Sequence, residues 1–558
     1  MYKLYADMTI NGQPTFYENM DNPAFSFNYT EENGRIKATI TAKKDMVLGG
    51  LTITKPLKFE DDDLFYANGY QSWTTSREFS KEDNLKGYFK VSNISKFTKS
   101  LCTVFSDYHF AKYGDKGSFH AYTYCYLRKK GDRNITLYGS KSERNGYTIF
   151  SVDMVNGFFS IKKDLEGKAI QAGQVLDVFD ITVISKEFDA AFDEYFFDFL
   201  NVKKPRISHL AGYTSWYNYF QKINEHIILR DLDGMDKAKD EVGIFQVDDG
   251  YESAVGDWLI PDKKKFPNGM KYIADKIHDK GYMAGIWLAP FNAQRSAKIL
   301  KEHPDWFIRD AKDGKLLLSC PGWGGAYTMD IYIPEVREYL KKVFDVVLNE
   351  WGYDMVKLDF LYSQCMQPRR GKTRGEIMCD AVDFLREICG DKLILGCGVP
   401  LGACMGIFDA CRIGCDANKS FGGDILNILG INNEIPSSQN AIINTIFRNH
   451  LDGRAFCNDP DVLFLRSDNI KYTWNQRLLL GKINAICGNV LFVSDNAGDY
   501  GENQLRYMIE FFKDKEYKVL AAEFESADII RLDYTEDGRE RMLRFNVQTG
   551  ESNIIENI

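Results

Sequence analysis

The segment VKLDF sets Lys357 and Asp359 two residues apart, so on a strand both side chains point the same way. A lysine beside a carboxylate holds it ionised, the state a nucleophile needs. Asp416 follows Arg412 by four residues in RIGCD, at the start of a loop, where a carboxyl can protonate a leaving oxygen and then activate water. Two carboxyls flanking a glycosidic bond are the minimum apparatus for hydrolysis with retention. Asp248 and Asp249 in QVDDG suit the hydrogen bonding of sugar hydroxyls, and Trp287 in GIWLAP offers an apolar platform to a pyranose face. Cys397 in LGCG and Asp459 in CNDP complete the set.

All of these residues fall at the ends of short apolar runs. From about residue 203, strand-like segments alternate with helical ones: LAGYTSW at 210, GIFQVDD at 243, YMAGIWLAP at 282, DMVKLDF at 354, LILGCG at 393, ACRIG at 410, RAFCND at 453 and NVLFVSD at 490. Intervening stretches such as EVREYLKKVFDVVLNEW and RGEIMCDAVDFLREIC are long enough for crossover helices. Eight such alternations predict a (β/α)8 barrel, in which residues just past the strands' C-terminal ends face one active-site mouth. A lone Asp there commonly caps the next helix. Recurrence at strand after strand, interleaved with Lys and Arg, argues for a site. After the third strand the interval lengthens, and HPDWFIRDAKDGKLLLSCPGWGG reads as an inserted active-site loop.

Before residue 190 the pattern is β. RIKATIT, NITLYGS, YTIFSVDMV and LDVFDITVI are separated by Gly, Asn and Asp turn signals, as in a β-sandwich. Near the end, ADIIRLDY and RMLRFNV flank an Asp537-Gly538 hairpin signal. The expected architecture is a multidomain α/β and β chain: an N-terminal β-sandwich (1–200), a central (β/α)8 TIM barrel (201–512) and a small C-terminal β-domain (513–558).

Composition narrows the alternatives. A net charge of −9 disfavours nucleic acid as a partner. No run approaches the ~18 apolar residues of a membrane span. MYKLYADMTINGQ lacks a basic stretch followed by an apolar one, so no signal peptide is expected, and a cytoplasmic location is. The 12 cysteines form no C-x-x-C and read as free, buried thiols; the 7 histidines form no cluster, so neither a metal nor another cofactor is expected.

The chain resembles the α-galactosidases of glycoside hydrolase family 36, especially compact bacterial forms. YTSWYNYF, FQVDDGYE, GDW, GIWLAPF, EHPDWF, VKLDFLY, ILGCGVPLG, RIGCD and NDPDVLFLR occur in that family's order and approximate spacing, so the resemblance spans the chain. It implies Asp359 as nucleophile and Asp416 as acid/base. It implies that Asp248 and Asp249 bind the galactose 4- and 6-hydroxyls, that Lys357 and Arg412 contact hydroxyls near the reacting carbon, and that Cys397 lies by the 2-position. Trp216 and Trp287 would line the pocket, with Trp73 of NGYQSW reaching over from the sandwich. One departure is that Cys415 stands where such members commonly have Pro before the acid/base.

The implied activity is hydrolysis of terminal α-linked galactose on oligosaccharides or glycoconjugates through a covalent galactosyl-enzyme. An α-N-acetylgalactosaminidase or a transglycosidase would use the same scaffold. A Schiff-base aldolase would need Lys357 desolvated and neutral, a magnesium enzyme would need several carboxylates on one ion, and a sugar-binding protein would not need both Asp359 and Asp416. Barrels with sandwich flanks often associate, so a homo-oligomer is compatible with this architecture.

Overall fold

The computed structural model describes residues 2–85, 106–107, 110–421 and 437–554. Its first third is a sandwich of two antiparallel sheets. One has six strands, running from Gln13–Tyr17 through Lys3–Ile10, Met46–Pro56, Phe158–Ile170 and Thr148–Asp153 to Ser118–Tyr122. The other has seven, from Phe25–Glu32 to Arg77–Phe79. Alternation drives the packing: in Arg35–Ala42, Ile36, Ala38, Ile40 and Ala42 are buried and face a core shared with Leu51, Ile53, Phe150 and Phe159.

A helical segment from Phe188 to Phe199 leads into the barrel. Its parallel strands follow the expected order: Leu210–Thr214, Ile244–Val247, Met283–Leu288, Met355–Leu358, Leu393–Gly396, Ala410–Arg412, Cys457–Asp459 and Val490–Val493. Nearly every residue in these strands is buried, as a sheet covered on the outside by helices requires. The eighth strand pairs with the first, Leu210 opposite Val490. The ring closes through a divided seventh strand: Cys457–Asp459 pairs with the sixth, and Val462–Leu463 pairs with the eighth.

The helices have legible boundaries. Arg374–Cys389 begins with a reciprocal capping box between Thr373 and Glu376 and ends at Gly390. Trp474–Cys487 has the same device in Thr473 and Gln476. The insertion after the third strand folds back as a small sheet of Asn292–Gln294, Ala326–Thr328 and Leu318–Cys320. At the C-terminal side, Tyr517–Phe524, Ile529–Glu536 and Arg539–Asn546 form a three-stranded sheet. Asp537 and Gly538, both at positive φ, make the tight turn between its last two strands. Among the described residues no helix is long and apolar enough to cross a membrane. Eleven cysteines are described, all buried and free of disulfides; Cys102 lies outside the described residues.

Candidate active site

Asp359 sits one residue past the fourth strand, its N–H tied to Leu288 of the third (2.9 Å). Its carboxylate accepts the Phe360 N–H at 2.8 Å and the Trp287 indole N–H at 3.1 Å, and the Cys397 thiol also hydrogen-bonds to it. The Phe360 bond depends on a left-handed backbone at that residue (φ 56°), a conformation that costs a bulky side chain about 1–3 kcal/mol. Burial raises the Asp359 carboxyl above its ordinary value, opposed by the Lys357 charge and the indole N–H, and Asp416 raises it further. The Trp287 indole N–H is turned onto Asp359, and its ring packs against Trp258 and Trp323.

Lys357 shares Asp359's face of the strand but gives its ammonium to Asp248, 2.9 Å away, in a fully buried pair. Its effect on Asp359 is through its charge, which favours the ionised carboxylate. Burial works against the ammonium, and Asp248 outweighs it, so Lys357 stays protonated and cannot serve as a Schiff-base nucleophile. Asp248 Oδ2 also accepts from Gln246 (2.8 Å), while Oδ1 takes the Asp249 N–H (2.9 Å) and keeps a lone pair for a hydroxyl.

Asp249 receives Gln221 Nε2 (3.0 Å) and the indole N–H of Trp323 (2.8 Å) from the inserted loop. Burial raises its carboxyl. Glu252, buried and hydrogen-bonded to Asp249, is pushed well above the carboxylate range by burial and then by Asp249's charge, so Glu252 carries the proton of this pair.

Asp416 opens the loop after the sixth strand, its side chain 37% exposed where Asp359 is almost enclosed. Arg412 Nη1 holds it at 3.0 Å. The same guanidinium reaches Asp459 through Nε (3.3 Å), Asp461 through Nη2 (2.7 Å) and the Tyr217 hydroxyl (3.4 Å). Its three nitrogens thus each meet a carboxylate. Burial pushes Asp461 up to about 7 against the pull of Arg412, with Asp416 and Asp459 adding to the rise.

An aromatic wall closes the other side. Trp73, from the loop between sandwich strands Asp63–Ala67 and Arg77–Phe79, packs edge-on against Phe360 (5.4 Å) and Tyr362 (5.8 Å). It belongs to a cluster with Cys397 and Cys415, outside the sandwich core. Gly398, at positive φ, permits this approach: a Cβ there would come within 2.9 Å of the Trp73 ring. Cys415 is buried in this cluster, its thiol directed at the Ser437 carbonyl (3.5 Å). Trp216 begins the short helix after the first strand, half-buried and edge-on to Phe220 (5.0 Å). Phe360, Trp323, Glu252 and Asp461 were not singled out from sequence, although each stands beside or within a motif that was. Among the described residues no group of three or more His, Cys, Asp or Glu is disposed to hold a metal ion; Lys357 and Arg412 thread the carboxylates instead.

Residues 214–376 match the model of the Melibiase family. Over 134 residues the chain is 32% identical to alpha-galactosidase Mel36A of Lactobacillus acidophilus, covering 22% of this chain and 17% of that one. Over 195 residues it is 27% identical to the "A type blood alpha-D-galactosamine galactosaminidase" of Flavonifractor plautii, covering 31% and 18%. The matched stretches therefore span under a fifth of these two relatives. The fold is similar throughout to TtGalA, the alpha-galactosidase of Thermus thermophilus, with a TM-score of 0.71 at 20% identity over 96% of this chain and 98% of that one. AgaA from Geobacillus stearothermophilus is similar at a TM-score of 0.61 and 13% identity, over 98% and 78%.

Proposed function

We propose that this chain, which belongs to the melibiase family of glycoside hydrolase family 36, is a retaining exo-α-galactosidase. The observation that carries the reading is the contrast between two carboxyls at one barrel mouth. Asp359 is enclosed and aimed by two N–H donors, as a nucleophile needs; Asp416 is half-exposed on the side open to a leaving group and water.

In this reading the Asp359 carboxylate attacks the anomeric carbon while Asp416 donates a proton to the departing glycosidic oxygen. The C–O bond to the aglycone breaks and a β-linked galactosyl-enzyme forms. Asp416, now ionised, takes a proton from water; the water oxygen displaces Asp359 and releases α-galactose. Asp248 Oδ1 and Asp249 accept hydroxyls at the 4- and 6-positions, Cys397 lies by the 2-position, and the wall of Trp73, Trp216, Trp287 and Phe360 lines the ring's apolar surfaces. The substrates are terminal α-galactosides of oligosaccharides or glycoconjugates, and the enzyme works in the cytoplasm.

A second reading, α-N-acetylgalactosaminidase, is favoured by the Flavonifractor plautii relative. A hydrolysis screen of chromogenic α-galactoside, α-N-acetylgalactosaminide, α-glucoside and β-galactoside separates them. The α-galactoside should lead; preference for the N-acetyl sugar would shift the assignment, and turnover of the β-galactoside alone would overturn it.

A further inference from the structure

The division of the seventh barrel strand has a chemical consequence. Between its halves stand Pro460, which has no N–H to give a sheet, and Asp461, whose φ of 81° is one that side-chain-bearing residues avoid. Such a conformation persists only where its surroundings over-determine it, and it clusters at functional sites. Here the turn delivers a carboxylate that is 1% exposed to two partners at once. Oδ1 meets Arg412 Nη2 at 2.7 Å, and Oδ2 accepts the N–H of Ala417 at 2.7 Å. Asp459 braces the turn by accepting the Asp461 N–H at 2.8 Å and taking Arg412 Nε at 3.3 Å.

Both partners lead to the same neighbour. Arg412 Nη1 holds the Asp416 carboxylate at 3.0 Å, and Ala417 is the next residue in the backbone that carries Asp416. A half-exposed carboxyl at the start of a loop has freedom to swing, whereas proton transfer to a glycosidic oxygen requires it within hydrogen-bond reach. We propose that Asp461 is the positioning residue for Asp416, fixing the guanidinium that grips its carboxylate and the peptide that follows it. The role in proton transfer rests on reading Asp416 as the acid/base; the anchoring of the loop does not.

The test uses the full chain with Asp461→Ala and Asp461→Asn, the second retaining an oxygen for the Ala417 N–H but no charge for Arg412. Hydrogen exchange by mass spectrometry over residues 413–421 reads the anchoring without any substrate. Asp461→Ala should exchange at least ~10-fold faster at Ala417 while peptides in the sandwich stay unchanged, and Asp461→Asn should keep most of the protection. Kinetics then read the proton transfer. With Asp461→Ala, kcat/KM for an alkyl α-galactoside should fall ~100-fold or more, and for 2,4-dinitrophenyl α-galactoside less than ~10-fold, since that leaving group needs little protonation. Asp461→Asn should lie between. Unchanged exchange at Ala417, acceleration spread over the whole chain, or equal losses on both substrates would overturn the proposal. If the wild-type protein hydrolysed no α-galactoside, the functional reading would fail, and the exchange result would still decide the anchoring.

Discussion

Lys357 and Asp248, from barrel strands two places apart, are joined at 2.9 Å with both side chains almost wholly out of water. Two such charges are costly to bury and costlier to separate, because removing one partner strands the other in a low-dielectric site. Lys357→Met should therefore destabilise the protein by about 3–5 kcal/mol in urea unfolding. Adding Asp248→Asn to it should recover much of that loss. A single substitution costing under ~1 kcal/mol would mean that the pair is hydrated and loosely coupled.

The Trp287 indole N–H favours the ionised form of Asp359, opposing the rise that burial imposes. Trp287→Phe keeps most of the ring and removes the donor. The reactive species is the carboxylate, so kcat/KM falls as pH drops through this raised pKa. Without the donor the acidic limb should move to higher pH, and kcat should fall ~10–100-fold, the worth of one hydrogen bond to a charged acceptor. An acidic limb that stays in place would show that the indole serves as packing alone.

Epimer selectivity follows from the pair Asp248 and Asp249, the first keeping a lone pair free on Oδ1 and the second held by Gln221 and Trp323. A ligand without the axial 4-hydroxyl leaves a buried charged acceptor unsatisfied, a loss of several kcal/mol. kcat/KM for aryl α-galactoside should exceed that for the α-glucoside by at least ~1,000-fold. Trp323→Phe should narrow the ratio by loosening Asp249. Comparable rates on the two epimers in the wild-type protein would remove Asp248 and Asp249 from hydroxyl recognition.

How much of this was readable beforehand depends on range. The barrel strands and the helix Arg374–Cys389 were legible because their signals are local: apolar runs, caps and turn residues within a few positions. That Asp359 and Asp416 stand at one mouth was legible because strand ends in this architecture share it. Partners were not. Same-face spacing showed that the Lys357 charge would act on Asp359, but not that its ammonium pairs with Asp248, which comes from a strand two places round the barrel. Trp323 was visible only as part of a Gly-rich insertion, and its reach to Asp249 depends on how Asn292–Gln294 and Ala326–Thr328 fold the loop back. Phe360 in a left-handed conformation has no local sequence signal, since tertiary packing against Trp73 and Trp323 imposes it. For Asp461 a clue exists: Pro460 directly follows the run RAFCND and breaks the strand there, with an aspartate on either side of it.

The assignment of Asp359 and Asp416 to distinct roles is tested most directly by azide rescue. Asp359→Gly should lose nearly all activity, even on substrates with good leaving groups, because no glycosyl-enzyme can form. Asp416→Ala should still form the β-linked intermediate from an activated aryl α-galactoside and then stall for want of a base. Azide attacking that intermediate should yield α-galactosyl azide, whereas azide displacing the leaving group directly in Asp359→Gly should yield the β-azide. The anomeric proton coupling measured by NMR distinguishes the two. An α-azide from Asp416→Ala with a β-azide from Asp359→Gly is the predicted result; the reverse pairing would contradict the account and exchange the two roles.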